Sequence, residues 1–112
     1  MNISTRMLDG IILAIDIEGK LDTQTSTPAL EELLKLLEPN PGRVLVSLVP
    51  LEFVSSAGLQ VILRVAKQVR GYGGQLKVCG ATGVVKEVME ISGFDSLLDL
   101  CEDEAQAVRS FQ

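Results

Sequence analysis

The feature that most constrains the fold is an aliphatic run from Val44 to Val49, which only Ser47 interrupts. A run without alternation is typical of a strand buried on both faces, as in parallel sheets that helices cover. Segments with the apolar spacing of amphipathic helices lie on both sides of it, over 28–37 and 57–70. The chain is therefore predicted to form an α/β domain with this strand near the centre of its sheet.

The chain opens with two segments, 2–8 and 11–18, in which apolar and polar side chains alternate as in half-buried strands. Asp9 and Gly10 between them tolerate the positive φ angles of a tight hairpin turn. Later segments predict a strand over 75–79 and helices over 82–91 and 105–111. Because helices separate these later strands, we expect parallel strands with right-handed crossovers. The prediction is one domain spanning 1–112, whose mixed four- to five-stranded sheet opens with an antiparallel hairpin.

The first predicted helix has a leucine face and a defined start. Its leucines follow the spacing i, i+3, i+4 and i+7, at Leu30, Leu33, Leu34 and Leu37. Thr27 is expected to cap this helix, and Pro28 to be its first residue, where the missing N–H has no intrahelical acceptor.

Charge and composition exclude several classes of function. The 15 acidic and 10 basic residues give a net charge of −5, which disfavours nucleic acid and anionic membrane surfaces as partners. The chain contains no histidine, so it lacks the usual general base and the imidazole metal ligand. No uncharged apolar stretch approaches the roughly 18 residues of a membrane span, and the first residues lack signal-peptide features. We expect a cytoplasmic protein that is not an enzyme.

Other candidate sites favour structural explanations. Cys79 and Cys101 are too far apart in sequence for a C-x-x-C motif, which suggests a reducing compartment and two small buried apolar residues. The glycines from Gly71 to Gly74 follow a helix and precede a strand, which is the reverse of a phosphate-binding loop. A nucleotide-binding protein is therefore disfavoured, and we expect neither a cofactor nor a metal.

Two serines, Ser55 and Ser56, are predicted to lie where the central strand leads into the helix over 57–70. A serine hydroxyl there commonly accepts a hydrogen bond from a first-turn N–H, which stabilises a helix by about 1 kcal/mol. The same position attracts anions, because the free N–H groups and the helix dipole favour negative charge. A phosphate would change this neutral surface by about −1.5 to −2 charges. The residues alone leave both a structural cap and a phosphorylation site open.

The helix that follows carries two valines, Val61 and Val65, outside its predicted core stripe of Leu59, Ile62, Ala66 and Val69. The two valines are one helical turn apart and are therefore neighbours on its surface. Beside the small residues Ala57 and Gly58, they are predicted to form an exposed docking patch.

At this segment the chain resembles the STAS family, which includes anti-sigma factor antagonists and sulfate transporter domains. Residues 51–59 are similar to that family's apolar, aromatic, Asp-Ser-Ser/Thr-Gly-Leu turn, and 61–63 continue the likeness. Residues 19–22 are similar to its Gly-x-Leu-Asp loop, and 85–94 to its later helix ending in Ser-Gly-Phe. The resemblance covers nearly the whole chain, and the order of elements agrees with the one predicted above.

The resemblance implies a bacterial partner-switching protein. Such a protein binds a serine kinase of the GHKL type that doubles as an anti-sigma factor, and thereby releases the sigma factor. Phosphorylation of a turn serine by that kinase switches it off, and a PP2C-type phosphatase resets it. The protein would be a substrate rather than a catalyst, and ATP would belong to the kinase.

Aligning the turn on its Gly-Leu pair implies Ser56 as the phosphoacceptor, with Ser55 as the second choice. The implied partner-binding surface comprises Asp22, Ser55, Ser56, Ala57, Gly58 and Leu59, together with Val61 and Val65 of the predicted patch. Where many members have Asp, this chain has Ser47 and Ser55, so no metal or nucleotide site is expected at the turn. The alternative is a STAS-type interaction subunit of a transport or signalling complex, which docks without a phosphorylation switch.

Overall fold

A computed structural model describes residues 1–111. Within them are six strands, four α-helices and a 3-10 turn at Phe94–Ser96. The strands are β1 (Asn2–Leu8), β2 (Ile12–Leu21), β3 (Arg43–Ser47), β4 (Leu51–Val54), β5 (Gln75–Cys79) and β6 (Leu100–Cys101). The helices are α1 (Ser26–Leu36), α2 (Ser56–Gly71), α3 (Gly83–Ser92) and α4 (Glu104–Ser110). No helix of this described part is both long and apolar enough to cross a membrane.

The strands form a mixed sheet in the order β1-β2-β3-β5-β6. β1 and β2 are antiparallel, as the hairpin pattern predicts, and the other pairings are parallel. β2 is long enough to pair with β3 over Leu13–Asp16 and with β4 over Gly19–Leu21. The mixed α/β architecture is therefore confirmed.

The strand β4 was not predicted, and it brings the sheet to six strands rather than four or five. Only Leu51 and Val54 of its four residues are buried, so its sequence lacks clear strand alternation. It forms because the far end of β2 extends beyond β3 and offers a free edge for parallel pairing. This pairing carries the chain directly to the serines of the predicted turn.

Helices α1, α2 and α3 cover one face of the sheet and form the main core. Successive side chains of a strand point to opposite faces, so Val44 and Val46 contact this core while Leu45 points away from it. Residues 44–48 are all buried, which confirms that β3 is a central strand. Val49, the last residue of the predicted run, lies beyond the end of β3 and is 67% exposed, so the prediction was wrong there.

The short helix α4 covers the opposite face, where a smaller cluster contains Ile12, Leu45, Cys79 and Ala107. A bidentate contact joins the guanidinium of Arg6 to Asp16 at 2.7 and 2.8 Å, and the same group contacts Glu104 at 2.7 Å. The hairpin is thereby tied to the first residue of α4.

The start of α1 differs from the prediction. Thr25, rather than Thr27, is the residue before the helix, and Pro28 is its third residue rather than its first. The turn begins earlier because the N–H of Ser26 donates to the carbonyl of Asp22 at 2.9 Å. Pro28 is tolerated there, since the first-turn N–H groups have no intrahelical acceptor.

Candidate functional site

The site is built where β4 leads into α2. The N–H of Ser55 donates to the carbonyl of Leu21 at 3.0 Å, which continues the parallel pairing beyond the end of β4. Ser55 has extended backbone angles, and its Oγ accepts a hydrogen bond from the N–H of Gly58 at 3.2 Å. The predicted capping role is therefore confirmed for Ser55. Its hydroxyl oxygen is the acceptor that caps the first turn of the helix.

Ser56 is the first residue of α2, and it is exposed to solvent. Its side chain projects from the same first turn whose N–H groups and dipole favour negative charge. The two neighbouring serines therefore differ. The hydroxyl of Ser55 stabilises the helix start, whereas Ser56 is accessible to another protein.

Gly58 holds this helix start against the end of β2. A Cβ at that position would collide with the carbonyl oxygen of Leu21 and would lie 2.9 Å from side-chain atoms of Leu21 and Val54. Only a residue without a side chain allows the two backbones to approach this closely. The close approach places Ser55 and Ser56 beside Asp22, which directly follows Leu21.

Asp22 organises the loop between β2 and α1. Its Oδ1 accepts hydrogen bonds from the N–H groups of Gln24 and Thr25 at 3.0 and 3.1 Å, and from the Thr25 hydroxyl at 3.2 Å. These bonds, chiefly the one from the Thr25 N–H, hold the pKa of the Asp22 carboxyl below its ordinary value. The carboxylate is thus kept charged at this edge of the sheet.

The prediction that Val61 and Val65 form an exposed patch is wrong. Their side chains are 5% and 1% exposed and belong to the main core. α2 contacts α1 and α3 as well as the sheet, so its buried face is wider than the stripe that one sheet contact requires. The two valines are therefore not available to a partner.

The structure also divides the rest of the predicted surface. Gly58 and Leu59 are buried, so they position the first turn of α2 from beneath. Asp22 and Ser55 are half-buried, Ala57 is half-buried, and Ser56 is exposed. These four residues remain able to contact another protein.

Sequence reasoning missed Phe53 as a candidate surface residue. Its side chain is 38% exposed on β4, two residues before Ser55, and it pairs in register with Lys20 of β2. The sequence offered one signal: Phe53 is a large apolar residue directly beside Val54, and two neighbouring residues of a strand cannot both point into the core. We call Asp22, Phe53, Ser55, Ser56 and Ala57 the turn surface.

A model of the STAS domain matches residues 2–107, which is nearly the whole chain. The chain belongs to the STAS domain family. It is 33% identical over 112 residues to a protein of Bordetella bronchiseptica named "Putative anti-sigma factor antagonist BtrV". That match covers 100% of this STAS domain and 96% of the relative. The predicted family is thus confirmed by sequence similarity over the full chain.

Solved structures share the STAS fold at low sequence identity. An anti-sigma factor antagonist from Mycobacterium paratuberculosis matches with a TM-score of 0.84 and 17% identity, over 97% of this chain and 93% of that one. The phosphorylated form of the Bacillus cell fate determinant SpoIIAA matches with a TM-score of 0.69 and 14% identity, over 98% and 100%. Both likenesses concern the fold.

Proposed function

We propose that this STAS domain is an anti-sigma factor antagonist that acts by switching partners. Its turn surface binds an anti-sigma factor that is also a serine kinase of the GHKL type. Phosphorylation of Ser56 by that kinase, with ATP bound by the kinase, ends the binding. A PP2C-type phosphatase restores it, and the cycle takes place in the bacterial cytoplasm.

The observation that carries this proposal is the difference between the two serines. A kinase must reach the hydroxyl that it phosphorylates, and Ser56 is exposed at the first position of α2. The Ser55 hydroxyl accepts the capping hydrogen bond, so modifying it would disturb the helix start. These facts support Ser56 as the phosphoacceptor over the second choice, Ser55.

The charge at the turn surface explains how one phosphate could end binding. The fold tolerates an anion at Ser56, because the start of the 16-residue helix α2 favours negative charge. A partner that contacts Phe53 and Ala57 would have to bury that phosphate against its own surface. Desolvating an unpaired charge is costly, so the partner is lost while the STAS domain stays folded.

Phosphorylation is tested directly with a GHKL-type kinase encoded near this gene. We expect ATP-dependent addition of one phosphate, which peptide mass spectrometry assigns to Ser56. Ser56→Ala should abolish this addition while Ser55→Ala retains it. A phosphate found at neither serine would refute the switch.

Binding is tested by titrating the same kinase with Ser56→Asp in calorimetry. We expect a loss of affinity of at least about tenfold, or about 1.4 kcal/mol, because the added charge must be desolvated at the interface. Gln68→Glu is the matched control, since it adds one negative charge to an exposed position near the other end of α2. If Ser56→Asp binds as tightly as this control, charge at the turn does not regulate binding.

A third outcome separates the switch from the alternative function. If the STAS domain co-purifies from cells with a transport or signalling complex and carries no phosphate at Ser55 or Ser56, it is a constitutive interaction subunit. Recovery of a kinase that phosphorylates Ser56 would support the switch instead.

A further inference from the structure

Two cysteines that are far apart in sequence lie directly opposite each other in the sheet. Cys79 ends β5 and Cys101 ends β6, and the parallel register pairs these two residues. Both thiols are free. Sequence spacing gave no indication of this pairing, because it depends on how β6 docks against β5.

The register gives the two side chains a geometry close to that of a disulfide. Neighbouring strands are about 4.8 Å apart, and disulfide-bonded residues usually have Cα atoms about 4.4 to 6.8 Å apart. Paired residues point to the same face, and both cysteines pack in the small cluster beneath α4. β6 is a two-residue strand at the sheet edge, so it can shift slightly to complete the bond.

The surroundings of the two thiols assign them different roles. Cys79 is completely buried, and this burial raises the pKa of its thiol. Cys101 is half-buried, and its Sγ lies 3.9 Å from the hydroxyl of Ser110 near the end of α4. A small oxidant would therefore reach Cys101 first.

We propose that Cys79 and Cys101 are a reversible oxidation site, in which hydrogen peroxide converts the paired thiols into a cross-strand disulfide. Peroxide first oxidises the Cys101 thiol to a sulfenic acid, and its O–O bond breaks to release one water. The sulfur of Cys79 then attacks the Cys101 sulfur, the S–O bond breaks, and a second water leaves with the Cys79 proton. Two thiols and one peroxide thus give one disulfide and two waters.

The disulfide would close a loop around α3, which packs against the strand that leads to Ser55 and Ser56. The loop that it closes contains about 20 residues, including all of α3, which packs against β4. Oxidation would therefore restrain α3 and secure β6 and α4 to the sheet. This goes beyond the phosphorylation switch, because it requires neither a kinase nor a binding partner.

The test oxidises the reduced, folded protein with hydrogen peroxide and then alkylates remaining thiols with N-ethylmaleimide in denaturant. Intact mass spectrometry should show loss of two hydrogens and no alkylation, and non-reducing digestion should give one peptide that joins Cys79 to Cys101. Tm should rise by roughly 10 °C, because a loop of this length is closed in the unfolded chain. Dithiothreitol should reverse both changes.

Cys101→Ser provides the matched control at the half-buried position. After the same treatment it should keep its Tm, and its Cys79 should still be alkylated in denaturant. An equal rise in Tm for this variant would show that other oxidation causes the shift. The proposal is overturned if the wild type keeps two alkylatable thiols, if Cys101 is oxidised while Cys79 stays reduced, or if the disulfide joins two chains.

Discussion

The helices α1 and α2 begin at the same edge of the sheet but are held there differently. α1 follows β2 through a loop that several hydrogen bonds close: the Asp22 carboxylate accepts from the N–H and the hydroxyl of Thr25, and the Thr25 hydroxyl accepts from the Asp22 N–H. α2 follows β4 directly, and its side-chain cap is the single bond from the Gly58 N–H to the Ser55 hydroxyl. The loop before α1 and the residues before α2 are joined at Leu21, the last residue of β2, whose carbonyl accepts a hydrogen bond from the Ser55 N–H.

This difference leaves one of the two serines at the start of α2 without a part in the cap. Before α1, the polar side chains of Asp22 and Thr25 both form hydrogen bonds within their own loop. The α2 start needs only the Ser55 hydroxyl and the absence of a side chain at Gly58. Ser56 is left exposed, as the phosphoacceptor that we propose must be.

The largest effect is expected at Gly58, where the start of α2 contacts the end of β2. Gly58→Ala should lower the free energy of unfolding by about 2 kcal/mol, because the new Cβ overlaps the Leu21 carbonyl and outweighs the better helix propensity of alanine. Gly71→Ala is the matched control in the same helix, where a Cβ meets no atom within 4 Å. Urea unfolding should show that the control is as stable as the wild type or gains up to about 1 kcal/mol. Equal stability of the two variants would contradict the close approach.

The loop before α1 should depend on Thr25. Its hydroxyl accepts from the Asp22 N–H at 2.9 Å, and its one proton is shared between the Lys20 carbonyl at 3.0 Å and the Asp22 Oδ1 at 3.2 Å. Thr25→Val removes all of these bonds. We expect a loss of about 1.5 kcal/mol in urea unfolding, since the half-buried Asp22 N–H loses its acceptor and the loop loses its bond to the Lys20 carbonyl. Thr27→Val, at an exposed position of α1, should stay within about 0.5 kcal/mol of the wild type. A comparable loss in both variants would remove the special role of Thr25.

The start of α2 should show a smaller dependence on its cap. Ser55→Ala should cost about 1 kcal/mol in thermal or urea unfolding, because the Gly58 N–H loses its acceptor. Ser56→Ala removes the same atom from the next residue, which is exposed, and should change stability by less than about 0.5 kcal/mol. If Ser56→Ala lost more stability than Ser55→Ala, the capping role would belong to Ser56, and the case for Ser56 as the phosphoacceptor would be weaker.

The smallest effect concerns the charge of Asp22. Because hydrogen bonds lower its folded pKa, the carboxylate contributes stability above the unfolded pKa of about 3.9 and loses it as pH falls through the folded value. The stability difference between the wild type and Asp22→Asn should therefore shrink below about pH 4. An NMR titration of the Asp22 carboxyl carbon measures the shift directly. A midpoint at or above the ordinary aspartate value would contradict the hydrogen-bonded loop.

Much of the fold could be predicted because its strongest signals are local. The hairpin follows from alternation around Asp9 and Gly10, and the central strand from the aliphatic run at 44–49. The capping role of Ser55 follows from a serine placed before a helical pattern. The start of α1 was misplaced, because the hydrogen bonds between Asp22 and Thr25 extend the turn ahead of the apolar pattern.

By itself, the sequence determined the α/β class, the central strand, the serine-bearing turn and the STAS likeness, because periodicity and short motifs report on neighbouring residues. Only the tertiary structure decided the pairing of β4 with the far end of β2, the burial of Val61 and Val65, and the register that opposes Cys79 and Cys101. Each of these depends on contacts between segments distant in the chain. Such contacts are set by which surfaces remain to be buried once the elements pack, and no local pattern records that outcome.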